Sequence, residues 1–230
     1  MSRIMSSRDI RTLAYVLRRT NYGEADRILN IITPTGKMSV VAKGVRKEKS
    51  KLAGGIEMFS QVDLNIHWGK GEMGLVTSAR MVKYFGNLLK DYNRMELAAL
   101  ILKKISIASE GSDNAEYFEI VTQSLSGLND GFDMRLVESW FLLNLTKASG
   151  VEVNLYRDSE GKKLMPEKKY YYDAMMEAFV ETSNGDVGSD EIKLLRLMWT
   201  TRLDVVNRIR DVAKILSKVL NLARIMSGAV

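Results

Sequence analysis

Residues 36–55 read GKMSVVAKGVRKEKSKLAGG, a β-strand pattern that runs directly into a basic loop. Apolar Met38, Val40 and Ala42 alternate along it, as in a strand with one buried face, and Gly44 then permits a sharp turn. A cluster of cations this dense repels itself unless a polyanion neutralises it, so the loop is either solvated surface or a phosphate-binding element. Its cations are Lys37, Lys43, Arg46, Lys47, Lys49 and Lys51, against the single acid Glu48.

The amino-acid composition limits the kinds of function that the chain can have. The chain has 230 residues, of which 46% are hydrophobic and 27% charged, ordinary values for a chain that buries cores. Its net charge of +6 favours nucleic acid or an anionic surface as partner. It has no cysteine, which excludes disulfides, thiolate zinc sites and a cysteine nucleophile. Because no stretch approaches the roughly 18 apolar residues of a membrane helix, we expect no membrane partner and a cytoplasmic location.

The first 85 residues carry the patterns of five short strands and their turns. Polar turns are predicted at 21–24 and 33–36, and Val62, Leu64 and Ile66 share one face of the fourth strand. Five strands with a long third-to-fourth connection predict a small closed barrel of the OB type, although a β-sandwich fragment has a similar pattern. The predicted strands are 11–19, 25–32, 37–43, 58–68 and 73–84.

From about residue 86 the hydrophobic period becomes helical. Helices are predicted at 97–105, 117–128 and 134–148, a further one starts at Ser189, and an apolar stripe predicts one long helix over 202–226. The predicted fold class is α+β, with an N-terminal five-stranded OB-fold barrel followed by an α-helical bundle with a small β-rich, cysteine-free insert. The predicted domains are 1–85, 86–150, 151–187 and 188–230.

No catalytic set emerges from the sequence. The lone histidine, His67, lies on the polar face of a predicted strand and is interpreted as a surface residue, whereas Ser-His-Asp catalysis needs a positioned histidine. Glu24 and Asp26 could hold a hard cation, but pairing of Asp26 with Arg27 or another nearby base is favoured. The aromatic run 170–172 could stack bases, although packing within the insert is favoured. We therefore predict that the chain is not an enzyme and has no metal or cofactor.

An ordered series of motifs resembles the bacterial recombination mediator family RecO. The downstream helical region fits that family in layout, including the stretch 150–155. The motifs are Tyr22-Gly23-Glu24-x-Asp26-Arg27-Ile28-Leu29, Thr33-Pro34-x-Gly36-Lys37 and Ala42-Lys43-Gly44-Val45-Arg46-Lys47-x-Lys49-Ser50-Lys51-Leu52.

The resemblance implies an OB-fold, a helical domain and a zinc-binding or zinc-like insert. It implies a nucleoid-associated protein that binds single- and double-stranded DNA and anneals complementary strands. With RecR it would help load RecA onto DNA coated by single-strand-binding protein, in double-strand break and gap repair of the RecF pathway. Many relatives have four cysteines in the insert, whereas residues 156–161 have none, so we expect a variant without the zinc site. A groove for the acidic tail of single-strand-binding protein is expected in the helical domain, with Lys103, Lys104 and Lys147 as nearby cations.

Phosphate contacts are predicted on the barrel and its basic loop. Because such contacts carry no base code, binding should tolerate many sequences. Two alternatives stay open, an OB-fold RNA- or ribosome-binding protein and a metal-dependent nuclease that uses Glu24 and Asp26. The predicted nucleic-acid-binding residues are Arg27, Lys37, Lys43, Arg46, Lys47, Lys49 and Lys51.

Overall fold

The computed structural model describes residues 8–69, 71 and 73–228. The chain forms two compact units, one up to Asn129 and one from Asp130. The first unit holds five strands and two α-helices. Its elements are β1 (Arg8–Tyr22), β2 (Asp26–Thr33), β3 (Gly36–Ala42), β4 (Ser60–Trp68), β5 (Gly74–Tyr84), α1 (Tyr92–Ala108) and α2 (Glu116–Asn129), with short 3-10 turns at Ala53–Gly55 and Gly86–Lys90.

The five strands close into a barrel in the order β1-β2-β3-β5-β4, as the alternating pattern predicts. Neighbouring strands are antiparallel except β3 and β5, which pair in parallel at Val40 with Gly74 and Val41 with Leu75. On the inward face of β4, Ser60, Val62, Leu64 and Ile66 are buried and Trp68 is partly buried. Together with apolar residues from every other strand this face fills the barrel, whose core includes Ala14, Val16, Leu29, Ile31, Val40, Ala42, Val62, Leu64, Ile66 and Val76.

The turn predicted at residues 21–24 is partly wrong, because β1 continues to Tyr22. Asn21 and Tyr22 pair across the hairpin with Arg27 and Asp26. At the solvated end of a barrel a strand can carry polar side chains on both faces. Because such a segment lacks the alternation of apolar and polar residues, the sequence pattern does not indicate a strand there. The connection shrinks to residues 23–25, and Gly23 turns the chain with φ of +54°.

Helices α1 and α2 pack against the barrel within the first unit. The hydroxyl of buried Tyr15 on β1 hydrogen-bonds Thr122 of α2 at 3.1 Å and accepts from Gln61 Nε2 at 3.1 Å. The Tyr15 and Phe118 rings lie 5.1 Å apart. The domain boundary predicted at residues 85 and 86 stays a prediction, while the compact units divide at residues 129 and 130.

The second unit is a helical bundle with a small two-stranded sheet, so the α+β class is confirmed. Trp140 Nε1 donates to the carbonyl oxygen of Thr201 at 2.8 Å, and Arg224 forms an ion pair with Glu138 at 2.7 Å. The elements are α3 (Met134–Ala148), β6 (Tyr170–Asp173), β7 (Ala178–Glu181), α4 (Ser189–Thr200), α5 (Leu203–Val206) and α6 (Leu216–Met226).

The insert is built without cysteine around two buried aromatic rings. Tyr170 and Phe179 are fully buried with their centroids 6.4 Å apart. Asp158, 6% exposed, accepts hydrogen bonds from the backbone N–H groups of Glu160 and Lys162 at 3.0 and 2.8 Å. A carboxylate that accepts backbone N–H groups stabilises a tight turn, so the insert is organised by packing and hydrogen bonds, as expected from its missing thiols.

The long helix predicted over residues 202–226 is wrong. The segment holds α5, a 3-10 turn at Val212–Lys214 and α6 instead. Helix α5 ends at Val206, and Asp211 in the segment that follows adopts a left-handed backbone with φ of +60°. Ile209 and Val212 keep helical spacing across this segment. The apolar spacing therefore predicts neither the break nor every inward-facing residue, since Leu203 and Val206 are buried while Val205 is 42% exposed.

Candidate nucleic-acid interface

The basic loop, defined as residues 43–51, follows β3 at one end of the barrel. Gly44 adopts φ of +63°, and the backbone N–H of Lys47 donates to the Gly44 carbonyl at 3.1 Å. Val45 is 3% exposed and belongs to the barrel core. The loop is therefore fixed by one buried anchor while its cations point into solvent. The exposed cations are Lys43, Arg46, Lys47, Lys49 and Lys51.

The turn between β1 and β2 holds this loop in place. Asp26 Oδ1 accepts from the Gly44 N–H at 2.7 Å, a short charge-assisted hydrogen bond. The backbone N–H of Arg46 donates to the Ala25 carbonyl at 2.9 Å, and Arg46 Nη1 donates to the Gly23 carbonyl at 3.3 Å. Asp26 thus binds the backbone of the loop, whereas the sequence favoured a pairing with a basic side chain such as Arg27.

A shallow polar pocket of about 550 Å³ lies where the two loops meet. Its walls are Glu24, Ala25, Asp26, Lys43, Gly44 and Lys47. The Asp26 carboxylate is already occupied by the Gly44 N–H. Across residues 8–69, 71 and 73–228 the cations of the basic loop form no salt bridge, so their charge is available to an external anion.

Arg27 lies beside this pocket on the other face of β2. It pairs across the ladder with Ala42, and its Nε donates to Asn21 Oδ1 at 3.4 Å. Because successive side chains of a strand alternate between faces, Arg27 and Asp26 point in opposite directions. Its half-buried guanidinium stands on the inward side of the barrel end, so the structure does not place it in one row with Lys43.

Lys37 lies apart from the basic loop. It is the second residue of β3, and Lys43 follows the end of that strand, so about 20 Å of strand separates the two residues. Its side chain is 9% exposed, and its ammonium donates to the Ser106 carbonyl at 2.7 Å and forms an ion pair with Glu110. The structure therefore brings together the five loop cations and leaves Lys37 neutralised within the first unit.

Two polar pairs elsewhere on the barrel were not recognised in the sequence. His67 Nδ1 lies 2.7 Å from Asp9 Oδ1, so this surface histidine has a carboxylate partner. Asp63 accepts a bidentate hydrogen bond from Arg11 and lies 3.5 Å from Arg80. The hydrogen bond from Arg11 is the main reason that the pKa of Asp63 lies below its usual value. These partners are 52 and 17 residues away in sequence, beyond any local pattern.

No cluster of three or more histidine, cysteine, aspartate or glutamate side chains in the described part of the chain is placed to hold a metal ion. Glu24 and Asp26 remain a pair at the mouth of the polar pocket. None of the helices in the ranges that the structure describes is long and apolar enough to cross a membrane.

The second unit contains a mostly apolar pocket of about 500 Å³, here called the α4 pocket. Apolar side chains of α4 and of the broken segment that precedes α6 form its walls, and three cations stand among two carboxylates at its rim. Lys103, Lys104 and Lys147, suggested from the sequence, do not line it. Its residues are Asp190, Lys193, Leu194, Arg196, Leu197, Ile209, Arg210, Asp211, Val212 and Ile215.

Two family models match the chain, "Recombination protein O N terminal" over residues 5–85 and "Recombination protein O C terminal" over residues 89–224. The chain belongs to the RecO family. Among curated relatives it is similar to the "DNA repair protein RecO" of Roseiflexus sp., 35% identical over 66% of this chain, and of Dehalococcoides mccartyi, 31% identical over 71%. A Listeria monocytogenes RecO protein is 25% identical over 84% of this chain.

The similarity covers only part of these relatives. The chain spans 54% of the length of the Roseiflexus RecO protein and 65% of that from Dehalococcoides, and 78% of that from Listeria. The break between the two matched RecO regions, residues 86–88, falls in the 3-10 turn after β5.

Proposed function

We propose that this protein is a DNA-binding recombination mediator that acts in repair of double-strand breaks and gaps. Its role is to bind and organise DNA rather than to catalyse a reaction. The observation that supports this most is the basic loop, which presents five exposed cations at one end of an OB-type barrel and whose backbone is anchored by Asp26 and Ala25, with Gly23 binding the Arg46 side chain. Membership of a family whose curated members are named DNA repair proteins supports the same proposal.

Cations held in this way suit phosphates rather than bases. A nucleic acid that lies along the loop would release condensed counterions, which gives affinity that is independent of sequence and falls with salt. Preorganisation matters because each side chain that is already ordered loses less entropy on binding. The anchored backbone of Gly44 and Arg46 supplies that order for the loop.

The test is the anisotropy of a labelled single strand titrated with the protein over a series of salt concentrations. Arg46, Lys47 and Lys49 are changed together to Glu. Since each phosphate contact contributes about −0.7 to the log–log salt slope, loss of three contacts should make the slope shallower by about 2.

The matched control changes Lys103, Lys163 and Lys214 to Glu, which removes the same charge from exposed positions outside the loop. Equal effects of the two triple variants would show that only net charge matters and would refute a site on the loop. Tighter binding of structured RNA than of DNA would favour an RNA- or ribosome-binding role instead.

The proposal includes annealing. A surface that neutralises the phosphates of two strands lowers the repulsion between them. At low salt the protein should accelerate the pairing of complementary oligonucleotides, followed by the fluorescence of a donor and acceptor on opposite strands. Binding of each strand without faster pairing would refute this step.

The proposed partner of the α4 pocket is the acidic, apolar tail of single-strand-binding protein. Such a peptide needs apolar walls for its side chains and cations for its carboxylates, and the α4 pocket offers Leu194, Leu197 and Val212 beside Lys193 and Arg210. RecR as a partner and the loading of RecA complete the proposed role, on the basis of the family alone.

A synthetic peptide with an acidic, apolar C-terminus tests this pocket by calorimetry. Leu197→Glu places a carboxylate on a partly exposed wall and should abolish binding. Val205→Glu is the control, since Val205 is equally exposed on α5 but does not line the pocket. Unchanged affinity of Leu197→Glu would place the peptide elsewhere.

A further inference from the structure

Tyr22, the last residue of β1, has a large aromatic side chain that does not pack into the core. Its side chain is 54% exposed. Within residues 8–69, 71 and 73–228 it makes no hydrogen bond and no ring contact. The other tyrosine of this strand, Tyr15, is 1% exposed and packs against Phe118 and Phe85. Core packing therefore accounts for an aromatic residue at position 15 but not at position 22.

The strand register puts Tyr22 on the same face as the basic loop. Tyr22 lies directly opposite Asp26 in the antiparallel ladder, and directly opposed side chains share one face of a sheet. Asp26 turns toward the loop, because its carboxylate binds the Gly44 N–H at 2.7 Å. The preceding pair, Asn21 and Arg27, uses the other face, as their 3.4 Å hydrogen bond shows.

The backbone that carries Tyr22 is fixed relative to the backbone of the basic loop. Gly23, the next residue, accepts the hydrogen bond from Arg46 Nη1, and Ala25 accepts the one from the Arg46 N–H. The turn that carries Tyr22 and the loop that carries Lys43, Arg46 and Lys47 are thus parts of one hydrogen-bonded assembly. A strand whose phosphates lay on the loop would run beside the turn that carries the exposed ring.

We infer that Tyr22 is a stacking platform for an unpaired base of the strand held by the basic loop. This rests on the proposed DNA-binding function and adds the class of ligand that the site prefers. A π-face accepts any base, so stacking keeps the binding tolerant of sequence. It requires a base free of its own stack, which single strands provide and duplexes do not, so Tyr22 distinguishes single-stranded from double-stranded nucleic acid.

The test compares Tyr22→Ala, Tyr22→Phe and wild type on a single strand and on a duplex of equal length. Loss of one stacked base should weaken single-strand binding about 5- to 150-fold. The salt slope should stay unchanged because no ionic contact is lost, and duplex affinity should stay within about twofold, since duplex bases offer no free face. Tyr22→Phe keeps the π-face and should bind as wild type does.

Tyr92→Ala is the matched control. Tyr92 is 70% exposed in the same unit but begins α1, away from the loop in the chain, and its removal should leave both affinities unchanged. A 2-aminopurine base in the single strand gives a direct readout, because stacking on the ring quenches its fluorescence. The quenching should disappear in Tyr22→Ala and persist in Tyr22→Phe.

The outcomes separate this inference from the function on which it rests. If wild type binds with a steep salt slope and Tyr22→Ala binds equally well, the stacking role is refuted and the DNA-binding proposal survives. If Tyr22→Ala weakens single strand and duplex equally, Tyr22 shapes the loop and does not stack on a base. If wild type fails to bind either ligand, the proposed function itself is refuted.

Discussion

The hydrogen bond from the Gly44 N–H to Asp26 predicts how strongly the β1–β2 turn holds the basic loop. Asp26→Ala removes a 2.7 Å bond to an ionised acceptor, and such bonds contribute about 1.5–3 kcal/mol. Asp26 is half-buried, so the lower end, about 1.5 kcal/mol, is expected for the loss in the free energy of unfolding. Asp26→Asn keeps an acceptor without charge and should lose only about 0.5–1 kcal/mol.

Loss of the Asp26 charge lowers stability, but by itself it should raise the affinity for DNA. If a bound phosphate lay about 8 Å from the Asp26 carboxylate, removal of that charge would relieve roughly 0.5 kcal/mol of repulsion in water, about a twofold gain in affinity. Asp26→Asn should show this gain. Asp26→Ala should bind DNA more weakly than Asp26→Asn. Without the hydrogen bond to residue 26 the basic loop adopts its binding conformation for only part of the time, which lowers the apparent affinity.

Glu24→Gln is the control. Glu24 lines the same polar pocket, so this substitution removes the same charge without removing a hydrogen bond to the loop. Urea unfolding gives the stabilities, and anisotropy at fixed low salt gives the affinities. If Asp26→Ala and Glu24→Gln have equal stability and equal affinity, Asp26 contributes only charge and the loop is not anchored as argued.

Three further predictions concern the fold and the edges of the site. Burial raises the pKa of Tyr15 to about 12 from a usual 10.0, so its contribution is complete below pH 10 and disappears as pH rises to about 12. Between pH 10 and pH 12, wild type should lose about 2 kcal/mol more of its free energy of unfolding than Tyr15→Phe, as measured by urea unfolding; equal losses would contradict it. Lys37→Met should lower the free energy of unfolding by about 1–2 kcal/mol, because the hydrogen bond to Ser106 is lost. It should leave the salt slope of single-strand binding unchanged; a slope shallower by about 0.7 would establish the phosphate contact predicted from the sequence. Asp211→Gly should raise the thermal midpoint, since glycine relieves a left-handed backbone that costs about 1 kcal/mol, and an unchanged or lower midpoint would mean that the Asp211 side chain stabilises the turn.

The barrel could be predicted from the sequence because its signals are local. Val62, Leu64 and Ile66 alternate over a few residues, and alternation depends only on the neighbouring backbone. The partner of Lys37 could not be predicted, because Glu110 lies 73 residues away and only the folded unit brings the two together. Charge density in the sequence indicates the basic loop, whereas its anchor at Asp26 depends on the register of β2 against β3.

The break at Asp211 shows a different limit. Ile209, Val212 and Leu216 keep the spacing of a helix, so the apolar stripe is intact while the helix is not. The α-helix is interrupted between Val206 and Leu216, with a left-handed backbone at Asp211 inside the interruption, and the apolar spacing does not indicate this. The α4 pocket lies at this break.

The closure of the barrel has a mechanical consequence. In the part of the chain that the structure describes, β3 joins β5 through two residue pairs but joins β2 through seven. The basic loop leaves β3 just beyond the short seam and is tied to the β1–β2 turn. Tension from a bound strand would therefore be carried by the β1–β2–β3 meander, and the seam with β5 would be the first part of the barrel to yield.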